Sequence, residues 1–184
     1  VQGRGYRFLG APGPAPAAMT APAPPPVVRD APTRGVPCRA PDVAVVGREA
    51  ELSAIRAFFS DGAPLVTLLG PAGAGKTTLA RVEGASRGDA ARFVDLLEAT
   101  DVDSVLHAVG EGLGADSGGP AGRAAVLRAM PTGPEALVVL DNAELCMRAL
   151  AGLIQEWLGQ APGVRFLVTS RRPLELGAER VVAV

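Results

Sequence analysis

The sequence is poor in the residues that build metal sites, covalent cross-links and membrane spans. It has one histidine and two cysteines, and Cys38 and Cys146 lie far apart in unlike contexts. This scarcity disfavours a zinc site or a disulfide framework and fits a reducing, cytoplasmic environment. No apolar run approaches the ~18 residues that a membrane span requires, so we expect no membrane partner.

The chain also lacks an excess of either charge. Nineteen acidic and 18 basic residues give a net charge of −1, which excludes a general electrostatic attraction to nucleic acid or anionic lipid. Apolar residues make up 48% of the 184 residues, enough for a packed core. The chain starts at Val1 without a methionine and stops within the apolar run 180–184, so we expect it to be a piece of a longer protein.

Composition divides the chain into three parts. Residues 1–8, VQGRGYRF, alternate small or polar with aromatic residues and predict a turn followed by a strand. Residues 9–42 are mostly proline, alanine and glycine and hold ten of the 17 prolines, which predicts an extended linker. The globular domain is predicted to span residues 43–184.

Helical and strand-like segments alternate within residues 43–184. Helical spacing of apolar residues occurs at 48–60, 101–113 and 148–158, further helices are predicted from 76 and near 121–130, and strand-like runs occur at 64–69, 91–96, 136–140, 164–170 and 180–184. Strands that are apolar throughout and alternate with helices predict an α/β fold. We expect a three-layer sandwich whose parallel sheet is covered on both faces.

A glycine-rich segment between a strand and a helix carries the strongest chemical signal. It reads GPAGAGKTT and fits G-x-x-x-x-G-K-[ST], the P-loop or Walker A pattern. Glycines let successive backbone N–H groups point inward toward phosphate oxygens, and the helix N-terminus adds a partial positive charge. The alternative is a purely structural turn. The residues predicted to bind nucleotide phosphates here are Gly70, Pro71, Ala72, Gly73, Ala74, Gly75, Lys76, Thr77 and Thr78.

Lys76 is the only lysine among the 18 basic residues of the chain. A compact ammonium group fits inside a loop that wraps closely around phosphates, where a planar guanidinium group would not. In such a loop the lysine contacts the terminal phosphates and the Thr77 hydroxyl is a Mg²⁺ ligand. We therefore predict a catalytic role for Lys76 and a metal-binding role for Thr77.

Asp141 ends the apolar run ALVVLD and is the predicted Walker B carboxylate, positioning Mg²⁺ or its water. The alternative is a helix N-cap, for which aspartate is favoured. Its neighbour Asn142 is an amide that can hold a water molecule but cannot take its proton, so we expect slow hydrolysis. Glu144 is the nearest acidic replacement, unless it only supports the first turn of the following helix.

Two more segments are candidates for the same site. Arg171 follows the strand at 164–170, at the carboxyl edge where open α/β sheets bind ligands, and its guanidinium could reach a γ-phosphate. The alternative is that Arg171 and Arg172 are simply solvated. The segment Val46, Gly47 and Arg48 precedes the first helix and would lie near the base and sugar, or form an ordinary helix-start turn.

Four motifs together resemble the STAND-type, NB-ARC-like signal-transduction ATPases. They are VVGREAEL (45–52), GPAGAGKTT (70–78), LVVLDNAE (137–144) and FLVTSRRPL (166–174), in that order. The resemblance covers roughly residues 43–184. It implies a P-loop NTPase sheet of order 5-1-4-3-2 and a nucleotide switch that controls self-association of the full-length protein.

Carried over by position, the resemblance places Arg48 on the adenine side and Gly70–Thr78 at the phosphates. Asp141 then belongs to Mg²⁺ and Arg171 to a phosphate sensor. Relatives often continue DNCEH where this chain reads DNAEL, so a histidine at Leu145 is absent. The helical and winged domains that follow in such proteins are missing, so we expect no lid over the nucleotide in this chain.

Near the start, Gly3–Phe8 (GRGYRF) looks like the last wing strand of an OmpR-type winged-helix DNA-binding domain. The likeness implies that Arg4 inserts into the minor groove, attracted by its negative potential. The alternative is a disordered tail of arginine and glycine. Since a recognition helix would lie upstream of Val1, we expect DNA to be bound through a domain that this chain lacks.

The resulting hypothesis is an ATP/ADP switch with slow, Mg²⁺-dependent hydrolysis in a transcriptional regulator. One rival is an AAA+-like ATPase with true turnover, which needs a water-activating acid. The other is an interaction module whose P-loop is structural. ATP over GTP rests on the resemblance, because the sequence has no guanine-reading N/TKxD motif and no second lysine to build one.

Overall fold

A computed structural model describes residues 35–41, 45–119 and 121–184, all within one compact unit that spans residues 31–184. The predictions for the strand at 1–8, for Arg4 and for the linker up to residue 34 lie outside the described residues. The domain boundary predicted at residue 43 also lies there.

Helices and strands alternate along most of the described residues, as is typical of an α/β fold; the exceptions are two successive helices before the third strand and two successive strands at the end. The elements are α1 (Glu49–Ser60), β1 (Leu65–Leu69), α2 (Lys76–Ala85), β2 (Ala91–Asp95), α3 (Val102–Leu113), α4 (Gly122–Ala129), β3 (Leu137–Asp141), α5 (Met147–Gln160), β4 (Arg165–Ser170) and β5 (Glu179–Ala183). Short 3₁₀ turns at Gly88–Ala90 and Ala143–Leu145 precede β2 and α5. The predicted segments agree with these bounds to within about two residues, whereas neither 3₁₀ turn was anticipated.

The five strands form one parallel sheet in the order β2-β3-β4-β1-β5, which reads 5-1-4-3-2 from the other edge. In the register between β2 and β3, Asp95 stands opposite Asp141. In the register between β1 and β4, Leu69 stands opposite Ser170. Because all strands run the same way, their carboxyl ends meet at one edge of the sheet.

Each face of the sheet is covered by helices, which explains why its strands are apolar throughout. One core cluster joins α3, α4 and α5 to the sheet, and the other joins α1 and α2 to the opposite face. Alternate residues of a strand therefore enter different cores: Val138 packs into the first cluster and Val139 into the second. Trp157 of α5 is buried and stacks on Phe166 at a centroid distance of 5.9 Å.

Local signals fix the ends of α3, the helix after β2. The Asp101 carboxylate accepts a 2.9 Å hydrogen bond from the Ser104 N–H, and the Ser104 hydroxyl accepts one from the Asp101 N–H. These reciprocal contacts satisfy two of the free amides of the first turn. Gly114 ends the helix in the left-handed conformation, at φ 71°. Within the described residues, no helix is long and apolar enough to cross a membrane.

Residues 35–41, which we predicted to belong to the linker, pack on the domain instead. Val36 donates its N–H to Gly112 O at 2.8 Å, and Phe93 of β2 donates its N–H to Val36 O at 3.1 Å. Pro37 forms an isolated antiparallel bridge with Arg92. Cys38 is buried, and its Sγ lies 3.6 Å from Arg81 O of α2. The high proline content of the segment predicted a linker, so this short contact with the edge strand β2 was not predicted from the sequence.

Candidate functional site

The candidate site lies at the carboxyl edge of the sheet, where the loop 70–75 joins β1 to α2. Gly70 N–H donates to Ser170 O at 3.3 Å, so the loop starts against the end of β4. Gly73 and Gly75 have φ values of 77° and 91°, in the left-handed region that side chains with a Cβ rarely adopt. These two glycines turn the chain sharply into α2.

Backbone amides of this loop form a cluster without internal partners. Within the described residues, the N–H groups of Gly73, Gly75, Lys76 and Thr77 meet no protein acceptor, whereas Ala74 N–H donates to Pro71 O at 3.3 Å. The last two amides belong to the first turn of α2, whose dipole adds partial positive charge. The loop therefore presents several hydrogen-bond donors to an anion.

Lys76 lies at the start of α2 and is almost entirely buried. Its Nζ donates to the carbonyl oxygens of Gly70 and Pro71, both at 2.9 Å. These two contacts use carbonyl groups of the loop itself, so they hold the ammonium group across the loop. An ammonium group has three donors, which leaves one N–H for another acceptor.

Thr77 connects the loop to β3. Its Oγ1 donates a 2.9 Å hydrogen bond to Oδ1 of Asp141, the last residue of that strand. The same carboxylate oxygen accepts a 2.5 Å hydrogen bond from Thr169 Oγ1 of β4. Asp141 is thus a strand-end carboxylate held by two hydroxyl groups, and the alternative of a helix N-cap is not what the structure shows, because the N-terminal residue of α5 is Met147.

Burial raises the pKa of the Asp141 carboxyl above its ordinary value. Hydrogen bonds from Thr169 and Thr77 oppose that rise because they favour the ionised form, while the nearby charge of Asp95 adds to it. A cation beside Asp141 would favour the carboxylate in the same way as the hydroxyl groups do. Hydroxyl and carboxylate oxygens are the protein ligands that Mg²⁺ prefers, so the pair Thr77 and Asp141 fits this ion.

Asn142 follows Asp141 in an unusual backbone conformation for a residue other than glycine, with φ 61° and ψ 46°. Its N–H donates to Thr169 Oγ1 at 3.0 Å. Its side-chain Nδ2 donates to Asp95 Oδ1 at 2.9 Å and lies 3.4 Å from Asp141 Oδ2. Backbone and side chain are both held, which maintains a conformation that asparagine tolerates better than most residues.

Glu144 and Arg171 form a loose ion pair just beyond the ends of β3 and β4. Glu144 Oε1 lies 3.8 Å from Arg171 Nε, and the arginine side chain is 61% exposed. Such a pair is held weakly and leaves the guanidinium group free to reorient. Arg172 instead lines a surface groove between α5 and the segment 172–175.

A cavity of about 600 Å³ lies over the loop and the start of α2. This volume is within the range of small-molecule sites. Predicted site residues that line it are Ala72, Gly73, Gly75, Lys76, Thr77, Thr78, Glu144 and Arg171. The cavity is completed by Leu97, Asn142 and Leu145.

The other predicted residues lie near the loop without lining this cavity. Gly70, Pro71 and Ala74 belong to the loop but do not line the cavity, and Asp141 contacts the cavity-lining residue Thr77. Arg48 donates from Nη2 to Ala74 O at 2.9 Å and from Nη1 to Glu51 at 2.6 Å. Its guanidinium group is therefore a brace between α1 and the loop.

The residues before Arg48 lie farther from the cavity. Val46 is 85% exposed, and Gly47 adopts a φ of 76°. Gly47 N–H donates to the side chain of Glu49 at 3.3 Å, which makes this segment a helix-start turn in the structure. A role for the segment beside a base and sugar stays a prediction.

Sequence reasoning missed four residues of the site. Thr169 and Asp95 are polar residues at strand ends, and that position was the signal that could have found them. Leu97 and Leu145 are apolar side chains more than half exposed at the rim of the cavity. Leu145 stands where the STAND resemblance expects a histidine, whereas no pattern in the sequence distinguishes Leu97 from the leucines that enter the core.

Comparison with known proteins gives relatives of one kind. No protein-family model matches the chain. Curated relatives include one protein of Mycobacterium bovis and two from strains of Mycobacterium tuberculosis, each named as an HTH-type transcriptional regulator. Each is 37% identical over 119 residues, which is 62% of this chain and 13% of the relative. The chain thus corresponds to a small part of the regulators that it resembles.

Proposed function

We propose that residues 45–184 are an ATP/ADP-binding switch domain that uses Mg²⁺ and hydrolyses ATP slowly. In this proposal the amides of the loop 70–78 and Lys76 bind the phosphates, and Thr77 and Asp141 hold Mg²⁺. The ion, when bound, supplies positive charge to the terminal phosphates. Arg171 at the cavity rim senses the terminal phosphate, and Arg48 supports the loop on the side assigned to adenine.

The observation that carries the proposal is the convergence of anion and cation ligands at one edge of the sheet. Unpartnered amides at the start of α2, the Lys76 ammonium group and the Thr77 to Asp141 contact of 2.9 Å are all adjacent. The amides and the ammonium group suit an anion, and the hydroxyl and carboxylate pair suits a cation. A purely structural turn needs none of these groups. The strand order 5-1-4-3-2 agrees with the order that the STAND resemblance implies.

Slow hydrolysis follows from the side chains around the cavity. Asn142 follows the Asp141 carboxylate directly, and an amide cannot accept the proton of an attacking water. General-base assistance contributes about 10²–10⁴-fold to rates, so its absence favours a long-lived ATP state over rapid turnover. A long-lived bound state is what a nucleotide switch requires.

The names of the relatives support a role in transcription regulation for the longer protein. DNA would then be bound through a domain other than residues 45–184, in keeping with the STAND and winged-helix resemblances. Nucleotide exchange would control self-association of the full-length protein in the cytoplasm.

Isothermal titration calorimetry with MgATP, MgADP and MgGTP tests the binding proposal. Binding of MgATP and MgADP is expected, with loss of at least tenfold in affinity for Lys76→Ala because a charge-assisted contact to phosphate is removed. The matched control is Arg128→Ala, which removes an exposed positive charge from α4. A chain that binds no nucleotide, or whose affinity is indifferent to Lys76→Ala, would have a P-loop of structural use only.

The position of Glu144 favours the alternative function, an AAA+-like ATPase with true turnover, because this carboxylate lines the cavity and could activate water. In that case Glu144→Gln should abolish a brisk steady-state release of phosphate. Under our proposal the unsubstituted chain releases phosphate slowly and Glu144→Gln changes that rate by less than about threefold, since the glutamate only pairs with Arg171.

A further inference from the structure

The structure assigns to Asp95 a function that the proposed hydrolysis needs: it fixes the Asn142 amide so that the amide oxygen accepts a hydrogen bond from the attacking water. This inference rests on the proposed function. Asp95 belongs to β2, whereas Asn142 follows β3, so the two meet only because these strands are neighbours in the sheet. Asp95 is a positioning residue here because it acts through Asn142.

The orientation of the Asn142 amide is determined by its partners. Its Nδ2 lies 2.9 Å from Asp95 Oδ1 and 3.4 Å from Asp141 Oδ2. A carboxylate only accepts hydrogen bonds, so the end of the amide that faces both of them must be the NH₂ group. The reverse orientation would place Oδ1 against two carboxylates and lose both contacts.

The carbonyl end of the same amide is left for the cavity. Within the described part of the chain, no protein donor contacts Asn142 Oδ1, and this oxygen is not among the buried atoms that lack a partner. Asn142 itself lines the cavity beside Lys76 and Thr77. An open acceptor at this place can orient a water molecule that approaches a terminal phosphate.

Asp95 is itself held in position. Its Oδ1 accepts the 2.9 Å bond from Asn142 Nδ2 and a 3.0 Å bond from Leu97 N–H. The backbone of Asn142 is anchored separately by Thr169 at 3.0 Å. Asn142 is therefore restrained at its backbone N–H and at its side-chain NH₂ group, which is what a fixed orientation toward a reacting water requires.

The step supported by this arrangement balances without a protein base. The water oxygen bonds to the γ-phosphorus while the bond from that phosphorus to the bridging oxygen breaks, and ADP leaves with the bonding electron pair. One water proton stays on the new phosphate and the other is released to solvent. Asn142 orients the water, and Asp95 orients Asn142.

Single-turnover hydrolysis of MgATP by the 184-residue chain, with calorimetry of MgATP binding in parallel, tests the inference. Asp95→Ala should slow hydrolysis by about tenfold, as expected for a displaced orienting group, while the dissociation constant changes less than about twofold. Asp95→Asn should restore most of the rate, because an asparagine Oδ1 still accepts from both Leu97 and Asn142. The matched control is Asp103→Asn, which removes an exposed carboxylate of α3.

A reciprocal double variant sharpens the test. In Asp95→Asn combined with Asn142→Asp, the new amide donates to the new carboxylate, which then faces the cavity and can accept the water proton. This double variant should hydrolyse ATP faster than the unsubstituted chain. Asn142→Asp alone removes the amide donor that lies between Asp95 and Asp141 and places three carboxylates together, so it should lower stability instead.

Two results would overturn the inference and leave nucleotide binding intact. One is an Asp95→Asn rate as low as that of Asp95→Ala, since the charge and not the orientation would then matter. The other is normal binding with no detectable hydrolysis by the unsubstituted chain. Absence of MgATP binding would instead remove the proposed function, and this inference with it.

Discussion

The hydroxyl group of Thr169 forms hydrogen bonds with Asp141, the last residue of β3, and with Asn142, the residue that follows the strand. Its Oγ1 donates to Asp141 Oδ1 at 2.5 Å and accepts the Asn142 N–H at 3.0 Å. One buried hydroxyl thus fixes both the carboxylate proposed for Mg²⁺ and the backbone that aims the Asn142 side chain. A second buried threonine, Thr67 of β1, has no hydrogen-bond partner for its Oγ1 within the described residues.

Thr169→Val should lower the free energy of unfolding by about 1–3 kcal/mol, because the buried Asp141 carboxylate loses one of its two hydroxyl donors and the Asn142 N–H loses its acceptor. The affinity for MgATP should fall as well. Thr67→Val is the matched control: it removes a buried hydroxyl that makes no hydrogen bond, so stability should stay the same or rise. Urea denaturation of the two variants measures the difference. Equal losses of stability would contradict the assignment of Thr169.

Arg48→Ala should weaken ATP and GTP binding by the same factor, roughly five- to tenfold. The reason is that the Arg48 guanidinium contacts the Ala74 carbonyl at 2.9 Å and so braces the loop that holds phosphates. Glu51→Ala is the control, since it removes the other partner of Arg48 and leaves the Ala74 contact intact. A loss confined to ATP would show that Arg48 reads adenine, as the STAND resemblance implies. Calorimetry with both nucleotides decides between these outcomes.

Glu83→Gln should lower the free energy of unfolding by about 3 kcal/mol. The Glu83 carboxylate is buried in α2 and accepts from Arg56 at 3.0 Å and from Arg87 at 2.8 Å, so its neutralisation leaves the buried Arg87 guanidinium with only an exposed carboxylate as its charge partner. Glu135 pairs with the same Arg87 at 3.0 Å but is 61% exposed, and Glu135→Gln should cost less than about 1 kcal/mol. Chemical denaturation of both variants tests this contrast.

Stability should fall as the pH rises from about 9 toward 11. Burial raises the pKa of the Cys38 thiol and of the Cys146 thiol to about 11, from an ordinary value of 9.0. A raised pKa means that the fold favours the protonated thiols, so their contribution is complete below pH 9 and is lost as the pH passes through the folded-state value.

The double variant Cys38→Ala and Cys146→Ala should therefore show a flatter pH dependence of the unfolding free energy between pH 9 and 11. Thiol labelling gives a second measurement: both cysteines should react slowly at pH 8 in the native chain and quickly in urea. Rapid labelling of Cys38 in the native chain would show that residues 35–41 do not stay packed on α2.

Local patterns were sufficient to predict the elements of the fold. The run 136–140 followed by Asp141 could hardly be anything but a buried strand, and β3 is buried along its whole length. The helix after the glycine-rich loop begins at Lys76, as its spacing predicts. These signals are strong because they depend on residues that are close together in the sequence.

Contacts across strands could not be predicted in the same way. Asp95 meets Asn142, and Thr169 meets Asp141, only after three strands have taken their places in the sheet. Likewise, the orientation of Arg48 toward the Ala74 carbonyl depends on how α1 packs beside the loop. The sequence therefore predicted which loop carries the chemistry, whereas the residues that orient its ligands required the tertiary structure.

The packing of residues 35–41 on the domain determines where the protein can be truncated without loss of contacts. A version that began at residue 43 would strip Val36 from β2, leaving the Phe93 N–H and the Gly112 carbonyl without their partners. It would also empty the narrow space beside Gly84, where a methyl group added to the glycine would lie 2.3 Å from Cys38 Sγ. Truncation at the predicted boundary would thus expose backbone groups at the β2 edge of the sheet, which favours aggregation. A protein that starts before Gly35 keeps the hydrogen bonds between Val36 and this edge.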